Sequence, residues 1–165
     1  MKLLHFALLS EAIYFIEKLK AVKISSNPKI YKSSSFYILI GGVGKEPTIA
    51  SLELFFKNYT VDMAFNIGVV GCNSKKVNIG DLFFIDKSIN LVTVDASQIS
   101  TNKKELTFYD MEAKYFKEVC FRYLEPNRVK VIKVVSDYLD KPKLSKEFVK
   151  SLMVKNYPKI IKATI

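Results

Sequence analysis

Apolar positions along the chain fall into short runs separated by polar or glycine-containing segments, and two spacings alternate. The apolar run at residues 3–9 predicts a buried strand, and Ser10 is placed to cap an amphipathic helix over residues 11–22. Ser25-Ser26-Asn27-Pro28 is turn chemistry. Residues 29–34 and 36–40 then read as two strands, the second ending in Gly41-Gly42-Val43-Gly44. Pro47 suits the first turn of a helix running through Tyr59, with Ile49, Leu52, Leu54, Phe55 and Phe56 as its apolar positions. Residues 63–67 read as a short buried strand that runs into a second glycine turn, Gly68-Val69-Val70-Gly71.

The second half repeats the alternation. Residues 82–85 and 91–94 are strand-like, and residues 97–105 are polar and read as a loop. A helix is expected from Tyr109 or Asp110 to about Leu124, then a break at Glu125-Pro126-Asn127, then a β-branched strand over residues 129–135. Residues 144–165 read as a helix that Pro158 kinks or interrupts. Strands alternating with helices predict an α/β class, with helices covering a central sheet. In such sheets ligands collect at the carboxyl ends of the strands. Three segments have that position: residues 41–44, residues 68–71, and Ser136-Asp137.

Composition narrows the chemistry. A length of 165 residues fits a single domain, residues 1–165. No apolar run reaches the ~18 residues that span a bilayer. The N-terminal run has one flanking lysine, but Glu11 follows directly and no small-residue cleavage site appears, so a cytoplasmic protein with no membrane partner is expected. Cys72 and Cys120 are far apart and form no metal or disulfide pattern. His5 is the only histidine, which argues against most zinc sites and against Ser-His-Asp or Cys-His catalysis. No metal and no cofactor are expected. The net charge of +10 comes almost wholly from lysines spread along the chain, with Arg122 and Arg128 the only arginines. Lysine is a point charge without the planar fork that reads phosphate or guanine, so a solvated surface is expected and no specific nucleic-acid partner.

Gly42-Val43-Gly44-Lys45-Glu46 is not a phosphate loop, because Leu39 takes the place of its first glycine and Glu46 that of its hydroxyl residue. Taken in order, Gly42-Val43-Gly44-Lys45, Asn66-Ile67-Gly68-Val69-Val70-Gly71, Ile79-Gly80-Asp81, Tyr109-Asp110-Met111-Glu112-Ala113 and Val134-Val135-Ser136-Asp137 resemble the nucleoside phosphorylase/nucleosidase superfamily. Within it they look most like methylthioadenosine/S-adenosylhomocysteine nucleosidase, over nearly the whole chain. The resemblance implies a three-layer domain with a central mixed sheet flanked by helices, cleavage of a purine nucleoside at its N-glycosidic bond, and a homo-oligomer, dimer or trimer. It implies that Asp137 is the acid that protonates the departing base, with Ser136 beside it. Glu112 would hold the ribose hydroxyls, Met111 would pack on the sugar, and Glu11 would activate water. Gly68 and Val69 would line the substrate.

The chain departs from the family pattern in three places. An excursion usual in the family is missing between Lys87 and Leu91. Ser97-Gln98-Ile99 stand where an aromatic residue stacks on the purine, and Val69 and Val70 replace a hydroxyl or positive contact. Neither arginine is placed to cradle phosphate, which favours hydrolysis over phosphorolysis. The competing expectations are a catalytically diminished homologue that binds a nucleoside-like ligand or serves as an interaction subunit and, further off, non-specific nucleic-acid binding by the lysines. The apolar face of the C-terminal helix, Leu144, Phe148, Leu152 and Met153, suits packing on its own sheet better than a membrane surface.

Overall fold

The computed structural model describes residues 1–95, 101–140 and 143–165. Among these, in chain order, are β1 (Lys2–Phe6), α1 (Leu9–Lys18), β2 (Val22–Ser26), β3 (Lys29–Lys32), β4 (Phe36–Ile40), α2 (Lys45–Asn58) and β5 (Met63–Cys72). Then follow β6 (Leu82–Phe84), β7 (Leu91–Thr93), β8 (Phe108–Asp110), α3 (Ala113–Cys120), β9 (Val129–Asp137) and α4 (Lys146–Thr164). The strands form one mixed sheet organised around β5. One edge of β5 pairs in parallel with β1 through Asn66 and then antiparallel with β8 at Gly71 and Cys72. The opposite edge pairs in parallel with β9 from Ala64 to Gly71, and β6 continues the sheet beyond β9. On the other side β1 is followed by β4, β3 and β2.

Because successive strand residues face opposite sides, the sheet carries two cores. Leu4, Phe6, Phe65, Ile67, Ile132 and Val134 pack against α1 and α4. Leu3, Leu39, Ala64 and Val131 pack against α2 and α3. The result is the expected three-layer α/β arrangement, with β1, β4, β5 and β9 parallel and their carboxyl ends on one rim. Followed towards that rim, the α2/α3 face stops being apolar. The next positions on it are His5, Asn66, Gly68 and Lys133, which are paired across neighbouring strands as His5 with Asn66 and Gly68 with Lys133.

Several local expectations need correction. Helix α1 is capped at Leu8, not Ser10: the Glu11 carboxylate turns back to accept the Leu8 N–H at 2.9 Å. It also ends early, at Lys18, and residues 22–26 form β2, an edge strand in a hairpin with β3. Gly68 and Gly71 do not turn the chain; both lie within the ten-residue strand β5. Their missing side chains serve close approach instead. A Cβ on Gly68 would stand 2.9 Å from Glu11 Oε1, and one on Gly71 would stand 2.7 Å from Leu139 Cδ2. Tyr109 and Asp110 do not open a helix but finish β8, and α3 starts three residues later, at Ala113. Strand β9 runs two residues beyond the expected end, so Ser136 and Asp137 are its last residues. Helix α4 runs on through Pro158, which sits with Val154 on the exposed face, where solvent can take the Val154 carbonyl that the proline leaves free. No helix among the described residues is long and apolar enough to cross a membrane.

Candidate active site

Three connections reach the rim on its α2/α3 side. The first turn of α1 follows β1, the turn at residues 41–44 follows β4, and residues 111–112 join β8 to α3. Glu11 is 3 % exposed and spans two elements: Oε2 accepts the Leu8 N–H and Oε1 accepts the Val69 N–H at 3.1 Å. Gly68 leaves room for that carboxylate to lie directly over β5. Burial pushes the Glu11 carboxyl up to about 7, and the charge of Glu112 adds to the rise, while the two backbone N–H groups and Lys133 oppose it.

Lys133 was not singled out from the sequence, yet it organises the site. It rises from the middle of β9, is 1 % exposed, and its Nζ lies 2.8 Å from Asp110 Oδ2. Burial pulls the ammonium down, but Asp110, Glu112 and Glu11 together outweigh it, and Lys133 is held above the ordinary lysine value. Asp110 is fixed in turn by the Thr93 hydroxyl, 2.6 Å from Oδ1, and by the Ala113 N–H, 2.9 Å from Oδ2. Glu112 accepts the Gly44 N–H at 3.0 Å, which ties the N-terminus of α2 to that of α3. Its carboxyl is raised mainly by burial and further by Asp110, against Lys133 and the Gly44 N–H. One lysine therefore sits among three buried carboxylates. The signal for it was available: a lysine between Ile132 and Val134, inside a strand with β-branched neighbours, must be paired if that strand is buried on both faces.

Asp137 stands apart from this cluster. Lys133 pairs across the sheet with Gly68, whereas Asp137 pairs with Gly71, three residues further along β5. Its Oδ1 accepts the Leu139 N–H at 2.9 Å, and Ser136 Oγ lies 2.7 Å from Oδ2. The Ser136 hydroxyl is also 3.0 Å from the Val70 carbonyl, so its single proton serves two acceptors. Leu139, at φ 63, folds its side chain over Gly71 beside the Asp137 carboxylate. Met111 is half-buried between Asp110 and Glu112. The structure thus brings Glu11, Glu112, Gly68 and Val69 together around Lys133, and sets Ser136 and Asp137 farther out on the same rim. Ser97-Gln98-Ile99, expected to replace a stacking aromatic, lie outside the described residues.

The carboxylates are satisfied by neighbouring N–H and O–H groups. Two surface hollows, of about 400 Å³ and 460 Å³, lie elsewhere. The first is lined by Ile85, Leu91, Thr93, Lys114 and Phe121, beside the link from β6 to β7, and the second by Gly80, Phe84, Lys155 and Lys159. Neither borders Glu11, Glu112 or Asp137. No group of three or more His, Cys, Asp or Glu side chains among the described residues could hold a metal.

No family model matches the chain, and no curated protein matches it in sequence. Solved structures do. The chain shares its fold, over almost its full length, with nucleosidases of known structure. It is similar to the 5'-methylthioadenosine/S-adenosylhomocysteine nucleosidase of Neisseria meningitidis in complex with methylthio-immucillin-A, with a TM-score of 0.80, 16 % identity, and 98 % of each chain covered. The corresponding Helicobacter pylori nucleosidase, bound to butyl-thio-DADMe-immucillin-A, gives a TM-score of 0.80 at 14 % identity, covering 99 % of this chain and 98 % of that one. The futalosine hydrolase of Helicobacter pylori gives 0.79 at 13 % identity, covering 99 % and 97 %. At such identities the likeness establishes the fold, and what this site does must be argued from its own residues.

Proposed function

We propose that the chain hydrolyses the N-glycosidic bond of a purine nucleoside. The observation that carries the reading is the division of polar groups along one rim: a carboxylate cluster around Lys133 and a separate Asp137 beyond it, in a fold shared with nucleosidases. A nucleoside has a diol at one end and a protonatable base at the other, and needs partners at both. In this reading Glu112 takes the ribose hydroxyls and Met111 packs on the sugar, while Gly68 and Val69 line its other side. Asp137, positioned by Ser136, donates a proton to the departing base. The bond from the anomeric carbon to nitrogen breaks, its electron pair goes to the base, and water adds to the anomeric carbon while losing its proton to Glu11. A carboxyl held at about 7 is matched to that last task near neutral pH. Protonating the leaving base is worth roughly 10²–10⁴-fold.

The same electrostatics favour water over phosphate. Three carboxylates around one lysine repel an anionic nucleophile, and Arg122 is engaged on the surface with Glu53 at 2.7 Å. Self-association as a dimer or trimer and a cytoplasmic location belong to this reading. Purified protein incubated with methylthioadenosine, adenosine and inosine, with and without phosphate, should release free base irrespective of phosphate. No base from any of them would reject the proposal, and release only with phosphate would replace hydrolysis by phosphorolysis.

A second reading, a diminished homologue that binds a nucleoside-like ligand without turnover, is favoured by one observation. The acids are satisfied internally, and neither of the two hollows described above borders Glu11, Glu112 or Asp137. Saturable thermal stabilisation by adenine or a nucleoside, without product, would select it.

A further inference from the structure

Beneath the acid cluster, one step deeper along the strands, lies a second set of buried polar groups to which the proposed reaction gives no role. Three buried side-chain atoms have no hydrogen-bond partner among the described residues: His5 Nε2, Thr48 Oγ1 and Asn66 Oδ1. Two of them lie on paired strand residues, and the third is on the face of α2 that also carries Ser51. Asn66 and His5 are neighbours across β5 and β1, with Asn66 Nδ2 3.0 Å from His5 Nδ1. Thr48 and Ser51 stand one turn apart in the first half of α2, with the Ser51 hydroxyl donating to the Thr48 carbonyl at 3.1 Å. Both sides meet above Gly41. The point where a Gly41 Cβ would stand is 2.2 Å from His5 Nε2 and 2.9 Å from Ser51 Oγ. The two atoms are therefore no farther apart than those distances combined, a span that a single water molecule bridges. The Phe116 ring packs beside the imidazole, its centroid 5.4 Å from that of His5.

We infer that His5, Thr48, Ser51 and Asn66 form a binding site for ordered water, buried under α2 and separate from the rim. The chemistry of the walls selects the occupant. The Asn66 amide donates to Nδ1, so the neutral ring carries its proton on Nε2 and offers a donor. The ring stays neutral because burial, and then the nearby Lys133, pull it down to about 3. Asn66 Oδ1 offers an acceptor, and the two hydroxyls serve as either. A metal ion is refused by the Nε2 proton, and an anion finds no cation within this set. A neutral molecule that both donates and accepts fits, and water supplies the two to four hydrogen bonds that such buried sites make. Water here would seat the turn at residues 41–44, whose Gly44 N–H holds Glu112. The inference stands whether or not the chain cleaves nucleosides.

A crystal structure that resolves ordered solvent, paired with the thermal stability of Thr48→Val, tests this. The expected result is a water within hydrogen-bond distance of His5 Nε2 and of Thr48 Oγ1 or Ser51 Oγ, with Thr48→Val melting about 2–4 °C lower because a bridged hydroxyl is lost. Direct contact of His5 Nε2 with either hydroxyl and no density between them would overturn it. So would a Thr48→Val protein as stable as wild type or more so, since deleting an unpartnered hydroxyl costs nothing. The valine is isosteric with threonine, so the test needs no variant of the buried His5.

Discussion

The acids around Lys133 and the acid at Asp137 share a rim but are held in different ways. Glu11, Glu112 and Asp110 are buried with a cation among them, and each also fastens one backbone element to another: α1 to β5, α2 to α3, and β8 to α3. Among the described residues Asp137 has no cation at hydrogen-bond distance; its partners there are Ser136 and Leu139. The first region cannot lose a member without disturbing the fold. The second can be altered with local consequences only. Under the proposed function the sugar end would be rigid and the acid at the base end replaceable, so stability and activity should separate between the two.

Removing the central cation should have the largest effect. Lys133→Met leaves three carboxylates buried together, and a loss of about 3–5 kcal/mol is expected in urea unfolding at pH 8. The loss should shrink at pH 5, where protonation of the glutamates relieves the repulsion. Asp137→Asn, by contrast, should cost about 1 kcal/mol, since an amide still accepts one of the two hydrogen bonds. Equal losses would erase the distinction between the regions.

Glu11 sharpens the comparison through pH. Its folded value of about 7 lies above the ordinary 4.5, so between those limits the folded chain keeps a proton that the unfolded chain has lost. The contribution is full below pH 4.5 and declines as pH rises through 7. The stability of wild type minus that of Glu11→Gln should therefore fall across that window, by on the order of 3 kcal/mol. Subtracting the variant cancels His5, whose value is depressed and whose contribution runs the other way, lost as pH falls from 6.5 towards 3. A flat difference curve would mean that Glu11 is not buried as described.

The glycines should have effects smaller than that of Lys133→Met. Gly68→Ala should cost about 1–3 kcal/mol, because its Cβ would displace the Glu11 carboxylate. Gly71→Ala should cost less, because its closest neighbour is the mobile end of Leu139. Unfolding midpoints for the two variants in the opposite order would contradict the close-approach role given to Gly68.

These glycines also show where the sequence was legible and where it was not. Strands β3, β4, β6, β7 and β9 and helix α2 could be read because their apolar spacing is unambiguous. Gly68 and Gly71 read as a turn because glycine marks both turns and close approach, and only the position of Glu11 and Leu139 in space tells the two apart. Edge strand β2, with Lys23, Ser25 and Ser26, looks like a helix tail and a turn, since a strand with little to bury carries little pattern. Strand β8 was hidden because Asp110 and Glu112 read as the acidic first turn of the helix that follows. Glu11, Glu112 and Asp137 were identified through the family resemblance. Asp110 and Lys133 fix the geometry around two of them; the strand around Lys133 marks it as needing a partner, but nothing in that segment names Asp110.

The most direct test is adenine release from methylthioadenosine without phosphate, measured for wild type and Asp137→Asn side by side. Release by wild type, reduced roughly 10²–10⁴-fold in the variant while its fold is retained, is the predicted result. No release by wild type, or equal rates for both proteins, would contradict the account.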